Sequence, residues 1–334
     1  MTNIYGCDSV VTLQLTINPT YNVSVSHTDC DSYEWHGNTY TASGAYTDTL
    51  QTVSGCDSIV TLNLTIKNSV THDIYATSCG AYIWDGRSYS SSGDHIWSYP
   101  AANGCDSIVT LHLVYHELVV DTRSEGYGAN VDNTYCTMEY GDQVWMTENM
   151  RYLPQVDNKR STTNPKYYVY NYTSTSLNGA INNANYGTYG ALYNFVSAQT
   201  ACPAGWHLPS QAEWNQLIAY LGQNSEYTCN GNTSNVAKAL ASTQYWSSSS
   251  TTCAVGNDRL QNNSSEFNAL PGGYMYTNSS TANISTTNFH DINNEGCWWT
   301  STDGDRAQMT YNSPSVNISN KAKHYAFSVR CVKD

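Results

Sequence analysis

The chain repeats itself with a period of 49 residues. GCDSVVTLQLTI opens at Gly6, GCDSIVTLNLTI at Gly55 and GCDSIVTLHLVY at Gly104. A second cysteine recurs at the same step, at Cys30 and Cys79, and Trp35 and Trp84 each follow it by five positions. Gly37, Tyr40 and Gly44 return as Gly86, Tyr89 and Gly93. Self-similarity at a fixed step marks an array of like modules. Leu13, Leu15 and Ile17 alternate with Thr12, Gln14 and Thr16, the pattern of a strand with one buried face. Turn residues recur about every ten positions, so small β-sandwich modules are expected. Residues 1–17 are then the end of a truncated repeat, and 18–66 and 67–115 are two full modules.

A module of this size has little core to hold it, and crosslinks make up the shortfall. The spacing from Cys30 to Cys56 equals that from Cys79 to Cys105. Cys30–Cys56 and Cys79–Cys105 are therefore the expected bridges, each worth roughly 3.5 kcal/mol on the chain-entropy account. Cys7 is left for a partner upstream. No CxxC or clustered Cys/His spacing suggests a zinc or redox site. Eleven cysteines used in this way point to an oxidising, extracellular setting. The opening MTNIYGCDSVV lacks the form of a signal peptide, and the expectation is a fragment of a longer protein attached to the cell surface through another part. The net charge is -13, which disfavours nucleic acid and anionic lipid as partners. No run of 18 apolar residues predicts a membrane span.

The period stops after Tyr115. Residues 116–132 read as a linker with one short strand, and 133–334 as an α+β domain. Ser210-Gln-Ala-Glu213 is a capping box. Trp214, Leu217, Ile218 and Leu221 follow on one helical face, with Gly222 as the expected stop. Shorter helical segments are expected over Asn235–Ala241 and Ala191–Ala198.

QVWMTENMRY (143–152), YGALYNF (189–195), CPAGWHLPSQAEW (202–214), FNALPGGY (267–274), WWTST (298–302) and FSVRCVKD (327–334) occur in this order. The segment from about residue 135 onward thereby resembles the Fibrobacter succinogenes major paralogous domain family. Ala326 and Thr300 depart from that family's usual Gly and Ser. The resemblance implies a C-type-lectin-like fold, related to formylglycine-generating enzymes and to variable proteins of diversity-generating retroelements. It also implies a bridge from a cysteine near the first helix to one in the last strand, Cys202–Cys331. Cys229–Cys253 would close the polar loop around the second helix, leaving Cys136 with Cys297. Six cysteines allow fifteen connectivities.

In retroelement-diversified relatives the stretch corresponding to 300–325 varies and contacts ligand. Here it is rich in Tyr, Ser, Asn and Asp, the adaptable contact set of antibody paratopes. The candidate contacts are Thr302, Asp303, Asp305, Gln308, Thr310, Tyr311, Asn312, Ser315, Asn317, Asn320, His324 and Tyr325. The expected function is extracellular ligand binding or adhesion, toward a protein or glycan on another surface. The alternatives are a structural surface protein without a ligand and a formylglycine-generating enzyme. The latter is disfavoured, because LPGGY is followed by MYTNSSTANIS, which has no cysteine. His207 lies in a block that reads as structural and Glu213 belongs to the capping box. No cofactor is expected. Asp303, Asp305 and Glu295 are the only candidates for calcium, which needs six to eight oxygen ligands.

Overall fold

The computed structural model describes residues 6, 12–16, 21–51, 57–123 and 133–334. The chain divides into two compact units, Met1–Ala76 with Ser92–Val114, and Thr77–Ser91 with Tyr115–Asp334.

The first repeat comprises β1 (Asn22–Cys30), β2 (Tyr33–Trp35), β3 (Asn38–Tyr40), β4 (Gly44–Gln51) and β5 (Asp57–Lys67). β5 is the centre of a three-stranded sheet, with β1 parallel on one side and β4 antiparallel on the other. Leu62 and Leu64 point inward from β5, while Asn63 and Thr65 are exposed, as the period-2 pattern requires. β2 and β3 form a hairpin that turns on His36 and Gly37, with φ of 48° and 83°. Two consecutive positive φ values define the tight turn that suits strand twist and favours glycine. The second repeat uses Asp85 and Gly86 in the same way. Trp35 joins Leu62 and Leu64 in the core, flanked by Tyr33, Tyr40 and Tyr46.

The second repeat has the same elements: β6 (Val70–Cys79), β7 (Tyr82–Trp84), β8 (Arg87–Tyr89), β9 (Gly93–Pro100) and β10 (Asp106–His116). Its sheet order is β6-β10-β9, with β7 and β8 as a hairpin.

The disulfides of the repeats differ from those the spacing suggests. Cys30 is joined to Cys105 and Cys79 to Cys136. The reason is the parallel register of β1 on β5. Cys30 ends β1 opposite Lys67, whereas Cys56, which lies outside the described residues, immediately precedes Asp57 at the other end of β5. Ten residues of strand span ~33 Å, against a Cα separation below about 7 Å for a bridge. Cys79 likewise ends β6 near His116, whose carbonyl accepts from Gly80 N–H, while Cys105 precedes the start of β10. Each cysteine at a strand's end thus reaches past its expected partner, Cys30 to Cys105 and Cys79 to Cys136. Cys7 lies outside the described residues.

The C-terminal domain begins with β11 (Leu118–Asp121), β12 (Asn133–Tyr140) and β13 (Gln143–Met146). Then come β14 (Tyr167–Tyr168), α1 (Leu177–Ile181), α2 (Ala184–Tyr189), β15 (Leu192–Asn194), α3 (Phe195–Ala198), β16 (Trp206–His207), α4 (Gln211–Gln223) and α5 (Ala237–Leu240). It ends with β17 (Tyr274–Met275), β18 (Phe289–His290), β19 (Glu295–Trp299), β20 (Asp305–Thr310), β21 (Asn317–Asn320), β22 (Ala326–Phe327) and β23 (Val332–Lys333). Three sheets result, ordered β11-β12-β13-β23-β16, β14-β15-β22-β17-β18 and β19-β20-β21.

β11 falls within the segment expected as a linker, yet it pairs with β12 from Leu118↔Cys136 to Asp121↔Asn133. Asp121 is buried and takes Nη2 of Arg123 at 2.6 Å. Arg123 also donates to the carbonyls of Thr200, Ala201 and Cys202, so this entry strand is fastened to the domain. Residues 124–132 are outside those described.

α4 forms as its sequence dictates. Ser210 caps it, accepting from Glu213 N–H at 3.2 Å, and Glu213 accepts from Ser210 N–H at 2.7 Å. Trp214, Leu217 and Leu221 are buried, and Ile218 is half-buried. Gly222 is inside the helix, which runs on to Gln223. Its role is close approach: a Cβ there would lie 2.4 Å from the carbonyl oxygen of Thr233. Five tryptophans, Trp145, Trp214, Trp246, Trp298 and Trp299, are fully buried. Cys202 is joined to Cys331 and Cys229 to Cys253. Cys297 is unpaired and buried, and the pairing of Cys136 with Cys297 is replaced by that of Cys136 with Cys79.

Candidate recognition surface

β20 is the middle strand of its sheet, so its side chains alternate between two faces. Ala307 and Met309 join Trp298 in one core cluster. The other face carries Arg306, Gln308 and Thr310. Cross-strand partners extend it into rows: Trp299–Arg306–Ser319, Cys297–Gln308–Asn317 and Glu295–Thr310. Toward the Arg306 end this face meets the second core through Trp299, Cys297 and Phe327. Toward the solvent it opens at Gln308 and Thr310, both half-buried, and at exposed Asn317.

Arg306 lies beneath this opening, 5% exposed. One guanidinium nitrogen reaches Cys297 Sγ at 3.0 Å and Glu295 at 3.8 Å. The guanidinium also lies 5.0 Å from the Phe327 ring centroid, a favourable cation–π placement. Its Nε has no hydrogen-bond partner. Burial pushes the Cys297 thiol well above its ordinary pKa; Arg306 opposes that shift and Glu295 adds to it. The thiol is therefore held protonated, a poor nucleophile.

Beyond Phe327 the surface continues as half-exposed rings. Tyr325 stacks on Tyr276 at 4.3 Å, His324 stacks on Tyr276 at 5.6 Å, and Tyr274 stacks on His290 at 5.3 Å. Desolvation, and then the nearby Arg160, lower the His324 pKa, so this imidazole is neutral at neutral pH. Its Nε2 has no partner.

The twelve sequence-derived candidates fall into four groups. Gln308, Thr310 and Asn317 share the face just described. His324 and Tyr325 belong to the adjoining rings. Tyr311, Asn312 and Ser315 lie in the turn between β20 and β21: Tyr311 packs on the core, Asn312 accepts from Thr310 Oγ1 at 3.1 Å, and Ser315 O accepts from Ser313. Thr302, Asp303, Asp305 and Asn320 gather at the far end of β20 and bond mainly among themselves and to neighbours. Thr302 Oγ1 accepts from Gln211 N–H, adding to the cap of α4. Asn320 donates to Asp303 O at 2.7 Å and to Asp305 at 3.1 Å. Asp303 pairs with Lys323.

The candidate calcium ligands do not converge. Glu295 pairs across from Thr310 at one end of β20, and Asp305 stands at the other. Among the described residues no group of three or more His, Cys, Asp or Glu side chains could hold a metal.

Sequence reasoning singles out neither Arg306 nor Ser319, and Glu295 only as a calcium candidate. A buried arginine gives no apolar signal in a strand. The strict alternation around Ala307 and Met309 was the available clue. His207 bridges Glu213 and Asp334, each at 2.7 Å, and so ties the helix start to the chain end.

No curated protein and no solved structure matches the chain. Residues 138–333 match the Fibrobacter succinogenes major domain, which covers more than half of the sequence, and the chain belongs to that family.

Proposed function

We propose that this is an extracellular recognition protein whose C-terminal domain adopts a C-type-lectin-like fold and presents a ligand-binding face from β19–β21. The observation that carries the reading is the cross-strand row Cys297–Gln308–Asn317 with Arg306 fixed beneath it. Polar side chains of adaptable bonding capacity stand on a backbone braced by core on both sides, and rigid tyrosines flank them. Such a mixture gives contact area at low entropic cost. The Cys202–Cys331 bridge, from near α4 to the last strand, supports the fold assignment. Four disulfides among the described residues support the extracellular setting. No helix among the described residues is long and apolar enough to cross a membrane. The β-repeats serve as the stalk.

The test is a screen of the full chain against glycan and surface-protein panels, repeated with Gln308→Ala, Asn317→Ala and Tyr325→Ala. Each substitution is expected to weaken capture at least tenfold, and Gln308→Ala and Asn317→Ala should leave the melting temperature in place. Equal capture by all three would overturn the assignment of this face. Comparison of gene copies gives a second test: retroelement diversification predicts substitutions concentrated at codons 308, 310 and 317 rather than at 307 and 309.

A further inference from the structure

A cleft of about 540 Å³ opens elsewhere on the same domain, in the loops between α5 and β17. Its walls include Gln244, Tyr245, Ser248, Asp258, Arg259 and Leu260. None of these belongs to the β19–β21 face, and the site stands independently of it.

Three observations mark the cleft as built. First, Tyr245 has φ of 69° and Asp258 has φ of 47°, a region a bulky residue seldom enters. Such conformations persist only where the surroundings dictate them, and they cluster at functional sites. Here Trp246, next in sequence, is fully buried and its indole N–H donates to Ala269 O at 3.1 Å. Arg259 holds the Trp246 carbonyl, and Lys238 holds the carbonyls of Asn257 and Asp258. The Cys229–Cys253 bridge anchors the same loop.

Second, apolar surface is left uncovered at the rim. Tyr245 is 47% exposed and Leu260 83% exposed. The Tyr245 ring meets Tyr189 at a steep angle, centroids 5.7 Å apart, and Tyr189 is fixed by a bond to Asn293 at 3.1 Å. The exposed part of the Tyr245 ring is thereby held in place. Third, the polar lining is mixed and balanced: an amide at Gln244, a hydroxyl at Ser248, and one acid and one base in Asp258 and Arg259. An anion or cation would meet compensating charge. A ring with apolar C–H faces and a hydroxyl edge satisfies both walls. The volume falls in the range of small-molecule sites.

We propose that this cleft binds a neutral sugar, with Tyr245 and Leu260 against the ring face and Gln244, Ser248 and Asp258 on its hydroxyls. The test uses the full chain and saturation-transfer NMR against neutral hexoses, pentoses, N-acetylhexosamines and their short oligomers, with uronic and sulfated sugars and peptides alongside. At least one neutral sugar is expected to bind, with transfer reporting tyrosine proximity. Tyr245→Gly removes the ring and relieves the left-handed backbone, so it should weaken binding at least tenfold without lowering the melting temperature. Asp258→Asn, which tolerates the same backbone, should weaken it several-fold. Neither Tyr245 nor Asp258 lies on the β19–β21 face, so losses at these two positions separate this site from that one. Absence of any neutral-sugar signal, selective binding of charged sugars or peptides, or full binding by Tyr245→Gly would each overturn the proposal.

Discussion

In the first repeat the buried core is Trp35, Leu62 and Leu64, and Val23, Val25 and Ile59 on the same sheet are each more than 40% exposed. In the C-terminal domain five tryptophans are fully buried, and Trp214 alone makes ring contacts with Trp145, Phe267 and Trp298 at 5.0–6.0 Å. The two regions use cysteine differently as a result. Bridges in the repeats reach outward, from each module to whatever follows it. Those in the domain, Cys202–Cys331 and Cys229–Cys253, staple a mass that already has packing of its own. A thin module gains most from borrowing its neighbour's order, because its own burial scarcely offsets chain entropy.

Breaking the Cys30–Cys105 bridge should give the largest effect. Cys30→Ser with Cys105→Ser removes closure of a loop of 75 residues, about 4.5 kcal/mol on the chain-entropy account. The repeats should lose their separate calorimetric transition, while that of the C-terminal domain stays in place. Trp298→Ala should cost the C-terminal domain about 4 kcal/mol through the cavity it leaves, and here the repeat transition is the one expected to persist. If either change melted both regions together, the contrast would be broken. Leu62→Ala should cost the first repeat about 3 kcal/mol, read as a lowered denaturant midpoint; a cost below about 1 kcal/mol would mean that even this small core is dispensable.

The smallest effect is on pH. Partial burial opposes ionisation of Glu213, but the bonds from Ser210 and His207 prevail and lower its pKa below the ordinary 4.5. Burial also disfavours charge on His207, yet Glu213 and Asp334 raise its pKa above 6.5. The carboxylate's contribution is present above pH 4.5 and is lost as pH falls through its lowered value. The imidazolium's contribution is present below pH 6.5 and is lost as pH rises through its raised value. The clasp is therefore strongest between these limits. His207 is 40% exposed, so solvent screening keeps the effect well below ~1 kcal/mol. Melting temperatures of the domain from pH 4 to 8 should show this shallow maximum, and His207→Ala should flatten its alkaline side.

Much of this was open to reading from residues alone, with instructive exceptions. The 49-residue period fixed where strands recur, and Ser210 with Glu213 fixed where α4 begins. The period could not fix the cysteine partners, since it offers Cys30 both Cys56 and Cys105, one copy apart; only the parallel register of β1 on β5 decides between them. Gly222 looked like a helix stop because the proximity of Thr233 is a tertiary fact. The same holds for the recognition surface. All twelve contacts proposed from 300–325 lie outside the buried set, yet which of them share a face depends on the partners of β20. The strained backbone at Tyr245 leaves no trace in composition, because Trp246 and Arg259 impose it through space.

Among the described residues the two bridges of the repeats overlap in the chain: Cys79 lies between Cys30 and Cys105, and Cys136 lies beyond both. This interlacing has a consequence for proteolysis. A single nick anywhere between residues 31 and 135 leaves the flanking ends covalently joined. They separate only when the backbone is cut in all three intervals, 30–79, 79–105 and 105–136. A peptidase that severs the chain once therefore liberates nothing, and the terminal domain stays tethered until a reductant arrives.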